Sequence, residues 1–528
     1  MSSTHEQRLA ELAGPQQGPL LTGIQRGLEK ESLRIAPDGR LAQTPHPQGL
    51  GSALTHDFIT TDYSEALLEF ITPVSTSIGE SLATLEDIHR FTYGELGDEL
   101  LWAASMPCVL GDDNKIPVAR YGDSNVGRMK TVYRYGLGHR YGRLMQTISG
   151  IHYNFSMPRA WWEAAQAAEG DTQPLQDFIT ERYLGLIRNF RRWSWLLIYL
   201  YGASPAVCAS FLRGGDSHGL VPFDEHQRSL HAPLGTSLRM GDLGYQSNAQ
   251  KNLSVCYNSL DSYIATLKEA IVQPHADYAA IGIGEPGQEK QLNTSLLQIE
   301  NEFYSPIRPK RVAESGETPL GALRRDGIEY VEVRCIDVNP YLPVGIDGAQ
   351  IRFLDTFLLH CLLADSPPCD DAERARIGSN QSLVVNRGRE PGLHLATPEG
   401  EKSLEEYGRE LLHAMLPIAR ALDDAHGAED YQGVLALQGY KLTDPSLTPS
   451  AKILADMAER DLPFFTLAME ASRDWARKLS SQPLSEEKLA AFREASSASL
   501  AAQQEIEAAD EIDFETYLAN YYQQYAAL

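Results

Sequence analysis

The chain has 528 residues, enough for one large domain or two to three ordinary ones. Lys and Arg number 46 against 71 Asp and Glu, and this net charge of −25 excludes general binding to a nucleic-acid backbone or an anionic membrane while permitting acidic clusters that hold cations. Six cysteines with no C-x-x-C pair predict reduced thiols in a cytoplasmic protein.

The N-terminus MSSTHEQRLAELAG has no apolar run of the signal-peptide kind, and residues 5–13 read as a short amphipathic helix. Residues 22–36 alternate in character and predict a strand. Residues 78–103 carry Leu82, Leu85, Ile88 and Phe91 at helical spacing. Residues 145–157 alternate again. A long aromatic-rich helix is expected over 174–201; its apolar stretch WSWLLIYLYGA (193–203) is too short to span a bilayer. A helix is expected over 258–272 and a strand over 288–299. EYVEVRCIDV (329–338) has the β-branched content of a strand. Ile351, Leu354, Phe357, Leu358, Cys361 and Leu362 make a helix face ended by Ser366-Pro367-Pro368. From about residue 400 the pattern is helical, with an acidic run from Glu505 to Glu515 expected as a solvated helix end. Strands thus gather in about 20–340 and helices in about 345–520. This predicts an α+β fold with an antiparallel or mixed sheet.

There is no G-x-x-x-x-G-K-[ST] loop. The one G-x-G-x-x-G, Gly282 to Gly287, contains Pro286, which would break the helix a pyrophosphate needs, so a hairpin turn is expected there. GLEKESLR (27–34) raises a different question. On a helix Glu29 and Glu31 would point about 200° apart; on a strand they share a face, with Arg26, Leu28 and Lys30 on the other. Alone, this stretch favours a wet strand face over half a metal site.

The device recurs. Glu332 and Arg334 share one face of their strand, with Val331, Val333 and Cys335 on the other. Gln146, His152 and Asn154 share a face, and so do Glu65, Leu67, Glu69 and Ile71 if that segment is a strand rather than a helix. If these strands form one sheet, four carboxylates and an imidazole meet. Like charges within about 4–6 Å raise each other's pKa unless a cation intervenes. Oxygen ligands with one imidazole suit Mg²⁺ or Mn²⁺, Mg²⁺ commonly completes its shell with phosphate oxygens, and Arg334 then fits a clamp on a transferring phosphoryl group. The residues point to ATP-dependent chemistry.

GIQRGLEKESLR (23–34), HDFITTDYSEALLEFITPV (56–74), YGLGHRYGRLMQTISGIHYNFS (135–156), LGTSLRMGDLGY (234–245), IENEFYSPIRPKR (299–311) and GIEYVEVRCIDVNP (327–340) closely resemble the bacterial glutamate–cysteine ligase family, and the resemblance covers roughly 20–520. It implies one catalytic domain over 1–528, with a curved antiparallel sheet funnel like that of the glutamine synthetase catalytic domain and helices outside. It implies ATP-dependent ligation of the L-glutamate γ-carboxylate to the L-cysteine amine through a γ-glutamyl phosphate, the first step of glutathione synthesis. Several Mg²⁺ or Mn²⁺ ions, feedback inhibition by glutathione and a monomeric state are further implications.

By position, Glu29, Glu31, Asp62, Glu69, His152 and Glu332 match the family's metal ligands, and Arg334 with Glu332 the catalytic centre. Tyr63, Tyr133, Leu137, Gln146, Arg239, Tyr245 and Tyr304 match the pocket for cysteine, where Tyr63 replaces a phenylalanine. Arg308, Lys310 and Arg311 fit phosphate neighbours or a salt-bridged loop equally. A mobile lid is expected at His139–Tyr141 or at 241–250, and Cys335 is expected in the core.

Overall fold

The computed structural model describes residues 4–107, 109–212, 218–226, 228–243, 250, 253–314, 316–428 and 430–528. Its centre is a seven-stranded antiparallel sheet built from β1 (Gln25–Ile35), β2 (Ile59–Thr61), β3 (Leu67–Ile71), β4 (Leu100–Leu101), β5 (Gly150–Ser156), β6 (Ile307–Lys310) and β7 (Tyr330–Asp337). The order across the sheet is β6-β7-β5-β1-β3-β2, with β4 on the end of β1. The sheet is open, its edges being β6 and β2. The ambiguous segment 60–74 is therefore strand and not helix, with Leu67–Ile71 as β3 pairing with β2, and Glu65 falls outside both strands.

The even-numbered residues of β1 face away from the cleft, toward helices α2 (Ile78–Glu95) and α6 (Gly348–Leu363) and the loops beside them, and three of them carry buried charge. Arg26 pairs with Asp355 at 2.7 Å, and the Tyr153 hydroxyl donates to the same carboxylate at 2.5 Å. Lys30 Nζ lies 2.8 Å from both Ser32 Oγ and His89 Nε2. Arg34 donates to Glu99 at 2.7 Å and Thr44 Oγ1 at 2.7 Å. Buried charge is tolerated where such partners replace water.

Helix starts follow local chemistry. Ser77 accepts from Glu80 N while Ser75 bonds the Glu80 carboxylate at α2, Ser124 caps α3 (Asn125–Tyr141), and Asp347 caps α6. Gly142, at φ 82°, ends α3 in a backbone region that favours glycine.

Five expectations change. The 145–157 strand begins only at Gly150, because Met145–Thr147 forms a 3-10 turn that takes Gln146 off the strand face of His152 and Asn154. The 78–103 helix stops at Glu95, because Gly97 at φ 61° turns the chain into β4. The 174–201 helix is two, α4 (Leu175–Trp193) and α5 (Trp195–Tyr201), joined at Ser194. The 288–299 strand shrinks to Gln288–Glu289, paired with Gly284–Glu285 across the expected hairpin turn. Beyond it, side chains occupy the backbone a ladder would need: Asn293 donates to the carbonyls of Leu297 and Gln298, and Gln298 accepts from Leu292 N. Finally, the acidic run is not simply solvated. It crosses from α7 (Glu486–Ala508) to α8 (Phe514–Ala526), and there Glu507 accepts from Asp123 N at 3.0 Å and Asp510 from Asn125 N at 2.5 Å. Both acids meet the positive end of α3.

The largest apolar cluster runs from Leu12 to Tyr525 and joins the back of the sheet to the C-terminal helices. Cys256, Cys335, Cys361 and Cys369 are free, but Cys208 is disulfide-bonded, which corrects the expectation of six reduced thiols. Spacing along a chain does not report which thiols the fold brings together. Among the described residues no helix is long and apolar enough to cross a membrane.

Candidate active site

The odd-numbered residues of β1 face a cleft, and sheet register assembles the acidic face around them. Glu31 lies opposite Glu69 on β3, Glu29 opposite His152 on β5, and Glu332 of β7 opposite Asn154. Glu29 accepts from Asn154 Nδ2 at 2.7 Å, and its other oxygen is 3.1 Å from His152 Nδ1. Glu31 accepts from Gly150 N at 2.5 Å and lies 3.6 Å from His152 Nε2. Glu332 is 3.8 Å from His152 Nδ1.

Glu29, His152 and Glu332 each offer a ligand atom, all within 4.8 Å of one another. Glu31, Glu69 and Asp62 adjoin this triad without belonging to it. Glu65, in contrast, turns away and accepts from the backbone of His46 and Arg120.

The donor set fits a divalent cation. Among the described residues, His152 Nε2 is buried with no hydrogen-bond partner. Burial, then Asp62, pushes the Glu31 carboxyl up; burial, then Glu29, Asp62 and Glu31, pushes Glu69 well above the usual range. Burial also works against Glu332, yet Lys310, Arg334 and His152 hold it well below that range. Crowded acids of this kind are what a cation relieves.

Arg334 stands on this face at a bulge in β7. Val333 pairs with Tyr153 and Ile336 with Ile151, so β7 spends three steps where β5 spends two. Its Nη1 donates to Glu332 at 3.2 Å and lies 3.5 Å from His152 Nδ1. Cys335 is buried as expected, but beyond the bulge the alternation is broken, and Ile336 takes the apolar place opposite Ile151. On β6, Arg308 sits opposite Glu332, and Lys310 Nζ is 3.5 Å from its carboxylate. Arg311 instead donates to the carbonyls of Gly327 and Asp326 at 2.9 and 2.6 Å.

The cleft above the acids has a volume of about 580 Å³. Glu31, Asp62, Tyr63, Tyr133, Leu137, Gln146, Tyr304 and Arg334 of the expected set line it. Among the described residues, the buried Tyr63 hydroxyl has no hydrogen-bond partner. Arg239 lies behind the wall, where its Nη2 donates to the Arg334 carbonyl at 2.8 Å and its Nη1 is 3.9 Å from Asp337. Gly150 makes room for it, since a Cβ there would overlap the guanidinium. Tyr304 donates to Met240 Sδ at 3.1 Å. Tyr245 lies outside the described residues, as does most of the 241–250 loop.

A family model for glutamate–cysteine ligase matches residues 9–384. The chain belongs to the glutamate–cysteine ligase family. It is 52% identical to the glutamate–cysteine ligase of Saccharophagus degradans over 96% of each chain. Against that of Alcanivorax borkumensis it is 51% identical, over 98% of this chain and 99% of the relative. A crystal structure of glutamate–cysteine ligase from Francisella tularensis in complex with AMP superposes with a TM-score of 0.89 at 36% identity, covering 96% of this chain and 98% of that one. A bifunctional glutathione synthetase from Pasteurella multocida shares the fold at a TM-score of 0.72 and 24% identity, over 93% of this chain and 58% of its own.

Sequence reasoning gave no role in this glutamate–cysteine ligase family member to Arg134, and it expected Arg140 and Tyr141 in a lid, whereas they end a helix that lines the cleft. Arg134, Arg140 and Tyr141 lie on the same face of α3 as Tyr133 and Leu137. Arg140 donates to Glu302 at 3.0 Å and Gln291 at 2.9 Å and stacks 4.2 Å from the Tyr278 ring centre, so it is an anchored wall. The helical spacing of this face is visible in the sequence; the partners Glu302, Tyr278 and Gln291, more than a hundred residues away, are not.

Proposed function

We propose that the chain joins L-glutamate to L-cysteine at the expense of ATP, giving γ-glutamylcysteine, ADP and phosphate, the first step of glutathione synthesis. The carrying observation is the Glu29–His152–Glu332 triad with Arg334, which lines the adjoining cleft, against it, in a chain of this family. The AMP held by the Francisella relative supports an adenine nucleotide as co-substrate.

In this reading a γ-carboxylate oxygen of glutamate attacks the γ-phosphorus of ATP and ADP leaves. The cysteine nitrogen then attacks the γ-carbonyl carbon, the carbon–oxygen bond to phosphate breaks, and phosphate departs with the peptide bond formed. Glu29, Glu31, Asp62, Glu69, His152 and Glu332 would hold more than one Mg²⁺ or Mn²⁺ ion, which when bound offsets the charge of the phosphoryl oxygens. Arg334 meets charge that develops on the transferring group, and Glu332 fixes its guanidinium. The walls of the cleft exclude water from the acyl phosphate. Tyr63, Tyr133, Leu137, Gln146 and Tyr304 surround cysteine, Tyr245 is assigned to the same pocket by the family, and Arg239 backs it from behind the wall through the Arg334 carbonyl. Glutathione feedback and a monomeric state rest on the family alone.

The test is an amine-acceptor panel with ATP, Mg²⁺ and glutamate. ADP should form only when L-glutamate and L-cysteine are both present. Equal ATP turnover without an amine would overturn the reading, and preference for another amine would move it to a sister carboxylate–amine ligase.

A further inference from the structure

Two cations at the β2 edge of the sheet have no part in the mechanism so far. Lys130 and Arg134 stand one turn apart on α3 and project from one face. Both lie over the same ring: Lys130 Nζ is 5.1 Å, and Arg134 Cζ 4.5 Å, from the centre of Tyr121. Tyr121 is buried, and its hydroxyl donates to the carbonyls of Thr61 at 2.6 Å and Asp62 at 3.0 Å. Arg134 Nε donates to the same Asp62 carbonyl, and its Nη1 to the Lys130 carbonyl at 2.9 Å. The ring thus fixes both cations in register with Asp62, and Arg134 lines the cleft.

Among the described residues neither cation forms an ion pair with a carboxylate. Two like charges on one aromatic face repel. The surrounding protein, then Arg134, pulls the Lys130 ammonium down to about 8, although the side chain is open to solvent. Among the acids of the site, Glu69 offsets part of the charge on Lys130. Divalent ions bound at those acids would cancel that offset and leave the two cations seeking an anion. At the opposite edge of the sheet stand Arg308 and Lys310 on β6, with Arg334 between. One carboxylate cannot answer cations on both sides; a polyphosphate can.

We propose that Lys130 and Arg134 seat the phosphate chain of the nucleotide from the β2 side of the acidic face. The proposal rests on the ATP-dependent reading above. Its test uses the full chain with Lys130→Met, Arg134→Gln and the conservative Arg134→Lys. Steady-state KM is measured for ATP, glutamate and cysteine, with equilibrium binding of a non-hydrolysable ATP analogue plus Mg²⁺. Loss of one charge-assisted contact to phosphate should raise the KM for ATP and the Kd of the analogue about tenfold. The other two KM values should stay within about twofold, and Arg134→Lys should recover part of the loss. Unchanged nucleotide affinity in Lys130→Met, whose open side chain removes no core packing, overturns the proposal. So does a shift confined to the KM for glutamate, which would make the pair a carboxylate seat. Failure of the wild-type chain to form ADP with glutamate and cysteine is a separate result, and removes the ligase reading instead.

Discussion

Arg334 shows how one inserted residue redirects a side chain. The bulge in β7 keeps Arg334 beside Glu332 and His152 and carries Asp337 round to meet Arg239. Simple alternation placed Glu332 and Arg334 together correctly, since the pair keeps its i, i+2 spacing at the bulge, but it could not place Asp337 beyond it. Arg334→Ala should lower kcat by about 100-fold or more while the KM for glutamate changes little, because the charge it meets develops in the transition state. Equal losses in both, measured by ADP release, would contradict that role. The triad makes a second prediction. Saturating Mn²⁺ should raise the Tm of the wild-type chain, as about 2.7 kcal/mol is gained at 100 times Kd. Glu332→Gln should abolish most of that rise in a thermal-shift titration. The acids were legible because carboxylates spaced i, i+2 declare a strand face. Arg239 was legible only through family resemblance, since nothing in its own surroundings in the sequence marks it, and it stands behind the cleft wall.

At the scale of elements, strands were read well where polar and apolar residues alternate, as in β1, β5 and β7. The 288–299 segment misled because Asn293 and Gln298 bond locally, a tertiary outcome that its apolar residues do not reveal. Two helices carry further predictions. Near the end of α6, His360 is packed against Trp193 and His5, and burial, then His5, pulls its pKa from 6.5 down to about 3. The folded chain therefore stays unprotonated at this ring while the unfolded chain takes up a proton below about 6.5. Stability is lost as pH falls from about 6.5 toward 3, at roughly 1.4 kcal/mol per pH unit from this group. His360→Phe should flatten the acid limb of urea unfolding measured across that range. In α8, Tyr525 donates to the buried Glu300 carboxylate, and Tyr522 to the Gln298 carbonyl at 2.8 Å. Asn301 and Glu302, next in the chain, line the cleft. Tyr525→Phe leaves Glu300 short of a donor and should cost about 1–3 kcal/mol in chemical denaturation.

For the whole molecule, the strand-rich and helical regions share one apolar cluster, so we expect the chain to unfold in a single calorimetric transition rather than as separate units about 20–340 and 345–520. Two well-separated endotherms would refute that. The α+β class was legible from where the strands and helices cluster; which strands neighbour which was not, because β6 and β7 reach β5 across a hundred and fifty residues of intervening helices and loops. The middle of that sheet has a consequence of its own. Along β1 the odd positions present Glu29 and Glu31 to the cleft, and the even positions send Arg26, Lys30 and Arg34 the other way, each to its own partner. A slip of one residue would exchange the two sets, putting ammonium and guanidinium groups among the acids and carboxylates against Asp355. The strand is keyed by charge, like a plug with two unlike sides. Single-residue insertions and deletions between 26 and 34 should therefore be rejected as misfolded chains, while the same changes in surface loops pass.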